Sequence, residues 1–386
     1  MRVLAFGTYD AAAHPRIQVL IDGLRERGIE VREIAEPLGL DTARRVEILR
    51  KPWLVPVLAV RLGRRWLTLA RRARRLGRDE YPSHVLVGYL GHFDVLLARV
   101  LFPSATVVLD HLVFAAGTAR DRGVGGGLRT LLLSGVDRLA IAAADVVVTD
   151  TAEHAAQVPA RRADDAVVVA VGATQAWFDA GARAEAARTL DTDDGALTVV
   201  FFGLFTPLQG APVIAEALRL LGRRGVRIRA TLVGSGQDAP AVRTTLAGIG
   251  PSDGTRSTVD VAWHEWVQPA DLPGLVAGHD ICLGIFGTTD KALAVVPNKV
   301  YQGAAAGCAV ITSGTEPQRR AFGDAAIFVP PGNVEALATA IETVADPAVR
   351  TRARAASRAA AHRFTAGAVV APLVEALAAA PATPTR

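Results

Sequence analysis

Short apolar runs that end in glycine alternate along the chain with stretches of helical spacing. MRVLAFG is the first run and stops at Gly7. A polar loop with Tyr9, Asp10, His14 and Arg16 follows, then VLIDGLRERG, in which Val19, Leu20 and Leu24 share one helical face and Gly28 ends the helix. IEVREI alternates like a second strand. VLVGYLG, FDVLLARVLF, ATVVLDHLVF, ADVVVTD and AVVVAVGA then predict a strand, a helix and three more strands of a doubly wound α/β unit. From Gly172 to Gly195 the spacing weakens and no strand run occurs, so this stretch reads as a connection between domains. At Leu197 the alternation restarts: LTVVFFG, a proline-and-glycine loop, the helix APVIAEALRLLGRRG, and the strands IRATLVG, VDVAW and DICLGIF, with a short helix LPGLVAG before the last. AVIT and AIFVPPG follow as strands, and the final helix is VVAPLVEALAAA. Two Rossmann-like domains are therefore expected, residues 1–180 with 365–386 returning to the first, and residues 190–364.

The stretch from Phe286 to Ile311 concentrates the polar chemistry of the second half. The strand ends at Gly287, and a loop carries Thr288, Thr289, Asp290 and Lys291. Pro297 suits the first helical turn, and Asn298, Lys299, Tyr301 and Gln302 lie on the first turns of a helix that ends at Gly307. A polar loop at the carboxyl end of a strand, feeding a helix N-terminus with a lysine, is an anion site by construction. A structural helix with an ordinary lysine is the competing reading.

Composition narrows the classes. Cys282 and Cys308 lie in apolar segments and read as reduced core residues of a cytoplasmic protein. No carboxylate cluster offers a metal seat, the opening segment is too quickly broken for a signal peptide, and no apolar run free of lysine and arginine is long enough to span a bilayer. The closely spaced glycines of a dinucleotide fingerprint are missing after the first strand. All of the net charge of +5 lies in residues 1–190. From Arg44 to Arg78 there are twelve basic residues and one acid, Glu47, interleaved with Trp53, Trp66 and many aliphatics. That mixture suits an interfacial helix at the inner face of an anionic membrane. It suits equally a surface helix whose apolar face packs inward while its arginines reach out. The aliphatic content is too high for a nucleic-acid surface.

Several segments in order resemble the retaining nucleotide-sugar glycosyltransferases of the two-domain GT-B fold, the large family of mannosyl- and glucosyltransferases. VVFFGLFTPLQGAPVIAEAL resembles the first strand–loop–helix of the donor domain and LVGSGQD its glycine-rich second turn. WHEWVQPADLPGLVAGHDICLGIF resembles the base-binding segment, PNKVYQGAAAGCAVIT the helix that holds donor ribose and phosphate, and VPPGNVEALATAIETVADP the closing segment. The resemblance implies hexose transfer from a nucleoside-diphosphate sugar to an acceptor hydroxyl, on a small molecule or a lipid-linked glycan, with retention and with no cofactor or metal. It places Gly203, Gly234, Trp266, Val267, Thr288, Thr289, Asp290, Lys291, Asn298 and Gln302 at the donor. Tyr9, Asp10, His14 and Arg16 fall on the acceptor side, and His111, Asp110 and Lys299 in the chemistry.

The chain also departs from that pattern. Where the family has an arginine after the first donor-domain glycine and a lysine before the second, this sequence has Leu204 and Gln209. The family's two glutamates are replaced by Ala294 and Gln302. A diphosphate clamp must then be rebuilt from Lys299 and Lys291, the only lysines of the second half. A non-catalytic partner of another glycosyltransferase is the alternative that these losses raise, and an epimerase of the same fold is a further one.

Overall fold

Each of the two sheets is made of six parallel strands. In the computed structural model, which describes residues 1–11, 14–39, 53, 55–88, 91–121, 123, 126–188, 195–249 and 258–379, they belong to two units. The first unit comprises residues 1–170 and 366–386, the second residues 171–365.

In the first unit the strands are β1 (Arg2–Gly7), β2 (Glu30–Ala35), β3 (His84–Val87), β4 (Thr106–Asp110), β5 (Val146–Thr149) and β6 (Ala166–Val168), in the order β2-β1-β3-β4-β5-β6. Strands β3, β4 and β5 are buried along their whole length. That is why they read as unbroken apolar runs, whereas the edge strand β2 buries only Val31 and Ile34. Helix α1 (Pro15–Glu26) joins β1 to β2. The chain then reverses direction across the sheet, so right-handed crossovers put α2 (Val55–Ala73), α3 (Asp94–Leu101) and α5 (Gly127–Ala143) together on the opposite face. A shorter helix, α4 (Ala115–Asp121), precedes α5. Leu69, Ala73, Val95, Ala98, Ala140 and Ile141 bring these three helices into one core with Phe6, Val85 and Val107 of the strands.

The basic segment is thus partly a packing helix. Leu69 and Ala73 are buried, and the Trp66 indole N–H donates to Asp94 Oδ1 at 2.8 Å. Asp94 Oδ2 in turn accepts from the Thr8 amide and hydroxyl. Trp66, part of a segment read either as an interfacial helix or as a surface helix with its apolar face packed inward, joins α2 through Asp94 to the loop after β1. Residues 44–52 and 54 of that segment lie outside the described residues.

The second unit has β7 (Leu197–Phe202), β8 (Ile228–Val233), β9 (Val259–His264), β10 (Ile281–Leu283), β11 (Ala309–Ser313) and β12 (Ile327–Val329), in the order β12-β11-β10-β7-β8-β9. It opens with α6 (Gln175–Arg188), inside the stretch that was expected to be connection only. The hydrophobic period is faint there because α6 packs through one large side chain and small ones. Trp177 stacks on Phe202 with ring centroids 5.6 Å apart, and Gly181 lies so close to the Ala305–Ala306 backbone that a Cβ would come within 2.5 Å of the Ala305 oxygen. Helices α7 (Ala211–Arg223), α8 (Ala239–Ala247), α9 (Asn298–Ala305), α10 (Val334–Val344) and α11 (Pro347–Ala361) complete the layers.

The returning segment of the first unit begins with a helical turn, Ala366–Val369, that packs on α1 and leads into α12 (Ala371–Ala379). Contact is close at Gly23, where a Cβ would lie 2.2 Å from the Ala366 oxygen. Gly23→Ala should therefore cost about 1–3 kcal/mol through overpacking, although alanine is the better helix former. Gly63→Ala on α2, with nothing within 4 Å of the new methyl, should be neutral or stabilising by up to about 1 kcal/mol. Urea unfolding of the two variants checks this; equal effects would show that the Ala366 contact is not tight.

Candidate functional site

In the second unit the loops after β7 and β8 are laced together at their strand ends. The Gly203 amide donates to Val233 O at 2.9 Å, and the Phe205 amide to Ser235 O at 2.9 Å. Gly203 and Gly234 have φ of 133° and 135°, and a Cβ on Gly234 would meet the Gly203 oxygen at 1.9 Å. Only glycine allows this backbone approach. The first of these loops then runs through Gln209 to Gly210, which precedes α7.

Lys299, in the first turn of α9, is buried beneath this loop. Its Nζ donates to Gln209 Oε1 and lies 3.8 Å from the Phe201 ring centroid. A side chain on exposed Gly203 would come within 3.2 Å of it, so glycine leaves the space above the ammonium open. No carboxylate pairs with Lys299 among the described residues, and burial pushes its pKa down to about 7. A dehydrated cation with an amide oxygen and an aromatic face, but no counter-ion, is poised to gain from an anion.

Other expected donor residues have mixed placements. Gln302 is buried on α9, and Asn298 is half-buried at its start. The polar loop turns helical earlier than expected: Thr289 Oγ1 accepts from the Ala292 amide and caps the turn Asp290–Ala294, which contains Lys291. Thr288 and Asp290 are exposed. Trp263 is held by its indole N–H to Gly234 O at 3.0 Å and packs on Phe205, whereas Trp266 is 72% exposed and Val267 is half-buried.

The first unit gathers a second group at the carboxyl end of β4. Arg16 and Asp110 form a fully buried ion pair at 3.1 Å, and Arg16 Nη1 also donates to the carbonyls of Val169 and Ala170. Burial pushes the Asp110 carboxyl up, and Arg16 opposes that shift. Both residues, expected among the acceptor and catalytic groups, are committed to joining α1, β4 and the chain beyond β6. Tyr9 is buried with its hydroxyl unpartnered, and burial pushes its pKa up. His14 Nδ1–H donates to Asp10 O at 2.9 Å, which orders the loop between them.

His111 is 2% exposed, and its Nε2 has no hydrogen-bond partner. It points toward Asp137 Oδ1 at 3.6 Å and packs edge-on against Phe114 with centroids 4.5 Å apart. Asp137, on α5, also accepts from His92 Nε2 at 3.0 Å and from the amides of Ala115 and Ala116. Burial pushes His111 down to about 3, so its ring is neutral. For Asp137 burial works upward, yet the His92 and Ala115 hydrogen bonds outweigh it and hold the carboxyl below its ordinary value. The donor atoms of His92, His111 and Asp137 lie within 4.8 Å of one another and are of metal-ligand type. Three hydrogen bonds already occupy Asp137, which favours an orienting carboxylate over a ligand. Sequence reading missed this group because its members come from three separate segments.

Comparison with known proteins agrees with both units. Residues 196–346, within the second unit, match the family model described as Glycosyl transferases group 1. The whole chain has the GT-B fold. It is similar to the structure of HepE from Anabaena in complex with UDP, at 13% identity and a TM-score of 0.62, covering 98% of this chain and 99% of that one. Sucrose-phosphate synthase from Thermosynechococcus elongatus is 15% identical with a TM-score of 0.67, again covering 98% and 99%. Trehalose-6-phosphate synthase OtsA is 12% identical with a TM-score of 0.66 and the same coverage. No curated protein matches by sequence. None of the described helices is long and apolar enough to cross a membrane.

The buried lysine makes a signed prediction. Above pH 7 the folded chain has lost the Lys299 proton, while the unfolded chain keeps it up to the ordinary lysine value. Stability should thus rise with pH between about 7 and 10, by at most about 1.4 kcal/mol per unit for this one proton. Lys299→Met should remove that contribution and raise stability at neutral pH. Urea titrations of both proteins at several pH values read it out, and an unchanged slope in the variant would assign the dependence elsewhere.

Proposed function

We propose that the protein transfers a hexose from a nucleoside-diphosphate sugar to an acceptor hydroxyl with retention of configuration. The observation behind this reading is the position of the Lys299 ammonium. It meets Gln209, at the point where the resembling family has a lysine on the loop itself. The cation lost from the loop is supplied from α9, together with the amides at the start of that helix. On this reading a bond forms between the acceptor oxygen and the anomeric carbon as the bond to the diphosphate breaks. A diphosphate oxygen on the same face takes the acceptor proton, while Lys299 stabilises the departing charge. Neutral His111, its ring set by Phe114 and its Nε2 turned toward Asp137, stands at the end of β4 where the histidine of the resembling family meets the transferred sugar. The arrangement assigns no step to a metal. HepE, described in complex with UDP and with UDP-glucose, provides the precedent for a uridine nucleotide as the first donor to try.

Two substitutions separate these roles. Lys299→Ala should weaken nucleoside-diphosphate binding by about 1.5–3 kcal/mol, as for a lost charge-assisted hydrogen bond. Wild-type affinity should fall as pH rises through 7, with proton uptake in calorimetry. Affinity indifferent to both the substitution and pH would remove Lys299 from the clamp. His111→Ala should lower turnover with a chelator present or absent, and leave nucleotide affinity nearly unchanged. Loss of folding in step with activity would make His111 structural.

A further inference from the structure

An interfacial helix needs an apolar face to bury at the headgroup boundary. Helix α2 has turned much of its own toward the sheet, through Leu69, Ala73 and Trp66. Helix α5 is built the other way round. Its inward side holds Asp137, Ala140 and Ile141, while Leu128, Leu131, Leu132 and Leu139 form a ridge on the outside. These four leucines are 71%, 65%, 62% and 54% exposed. At offsets of three, four and eleven residues from Leu128 they share one helical stripe. A surface helix ordinarily shows the reverse pattern, with leucines in and carboxylates out.

Topology decides what lies beside the ridge. In a parallel α/β unit the helices run against the strands, so the first turns of α2, α3 and α5 all stand at the carboxyl edge of the sheet. Val57 and Val60 in the first turns of α2, and Phe93 just before α3, are exposed at the same edge of the sheet as the first turns of α5. That edge also bears the loop after β1 and the end of β4, with Tyr9 and His111. Neither α2 nor α5 has an acid in its first turn. Arg61, Arg64 and Arg71 are exposed on α2, and Arg138 is exposed on the flank of the ridge. Apolar anchors flanked by cations fit the chemistry of an anionic bilayer surface.

We propose that the α5 leucine ridge inserts at the interface of an anionic bilayer, with the α2 arginines on its headgroups. The acceptor hydroxyl then belongs to a molecule anchored in that bilayer and presented at the carboxyl edge of the first sheet. The acceptor part rests on the glycosyltransfer reading; the surface does not.

The test uses the purified full chain and vesicles of phosphatidylcholine, alone or with about one-third phosphatidylglycerol. The protein should sediment with the anionic vesicles only. Leu128→Gln, Leu131→Gln and Leu132→Gln combined should reduce partitioning at least about tenfold, since the inserted area is lost. A separate Leu131→Trp variant should shift its emission to the blue on anionic vesicles and be quenched by brominated lipid. Arg61→Gln, Arg64→Gln and Arg71→Gln combined should abolish the preference for phosphatidylglycerol. Sedimentation unchanged by the leucine substitutions, or a Leu131→Trp signal blind to brominated lipid, would overturn the proposal. So would a dimer in analytical ultracentrifugation that the leucine substitutions convert to monomer, because the ridge would then face a second copy. Nucleoside-diphosphate binding measured on the same samples keeps the two readings apart: vesicle binding without nucleotide binding leaves the surface standing and removes the transferase.

Discussion

A parallel strand has to be covered on both faces, because helices return over it and no water reaches its side chains. Everything else in each unit follows from that requirement. The strands become unbroken apolar runs, and polar residues are driven out of the sheet to the loops at the strands' carboxyl ends. Asp110 and His111 close β4, and Gly203 follows β7. The polar groups that remain inside are then fully bonded, as with Arg16 on Asp110, or short of a partner, as with Lys299, which has the Gln209 amide oxygen but no counter-ion, and His111, whose Nε2 has no hydrogen bond. Those that lack partners are where a ligand has something to contribute.

Much of the architecture was legible because this constraint writes itself into the chain. Apolar runs ending at Gly7, Gly203 and Gly287 mark strands and their loops, and the restart at Leu197 marks the second sheet. The helix Gln175–Arg188 was not legible, since its contacts are made by Trp177, Ala180 and Gly181 and leave almost no apolar period. The leucine stripe of α5 is visible as spacing, but spacing alone does not say which side of a helix faces water. Among site residues, Lys299 and His111 stood out by their positions at a helix start and a strand end. The partners that give them meaning did not: Gln209 lies ninety residues from Lys299, and Asp137 lies on the far side of a helix and a loop from His111. Arg16 and Asp110 stood out in the sequence for the same reason that they form a buried ion pair, because a strand end beside a helix start suits such a pair as well as a ligand.

Low identity to the similar structures, 12–15%, sits beside a shared course of the chain over nearly its whole length. The loop after β7 illustrates how both can hold. A phosphate needs a cation at a point in space, not at a place in the sequence. In the proposed function a lysine reaching from α9 toward the loop meets that need, with neutral Leu204 and Gln209 in the loop itself. Motifs defined by neighbouring residues lose sight of such a move, while the backbone keeps its course.

The contact between Gly23 and Ala366 has a consequence for biosynthesis. The first unit is discontinuous: α1 is made early, yet the segment that covers it arrives only after the entire second unit has been translated. On the ribosome the amino-terminal sheet must therefore wait with one flank bare, whereas residues 171–365 form a continuous stretch able to fold as soon as it emerges. Emergence of residues 366–379, rather than completion of either sheet, is the event that closes the first unit. A nascent chain stalled before residue 366 would leave the α1 flank open to chaperones, and loss of residues 366–379 would injure the unit whose strands were synthesised first.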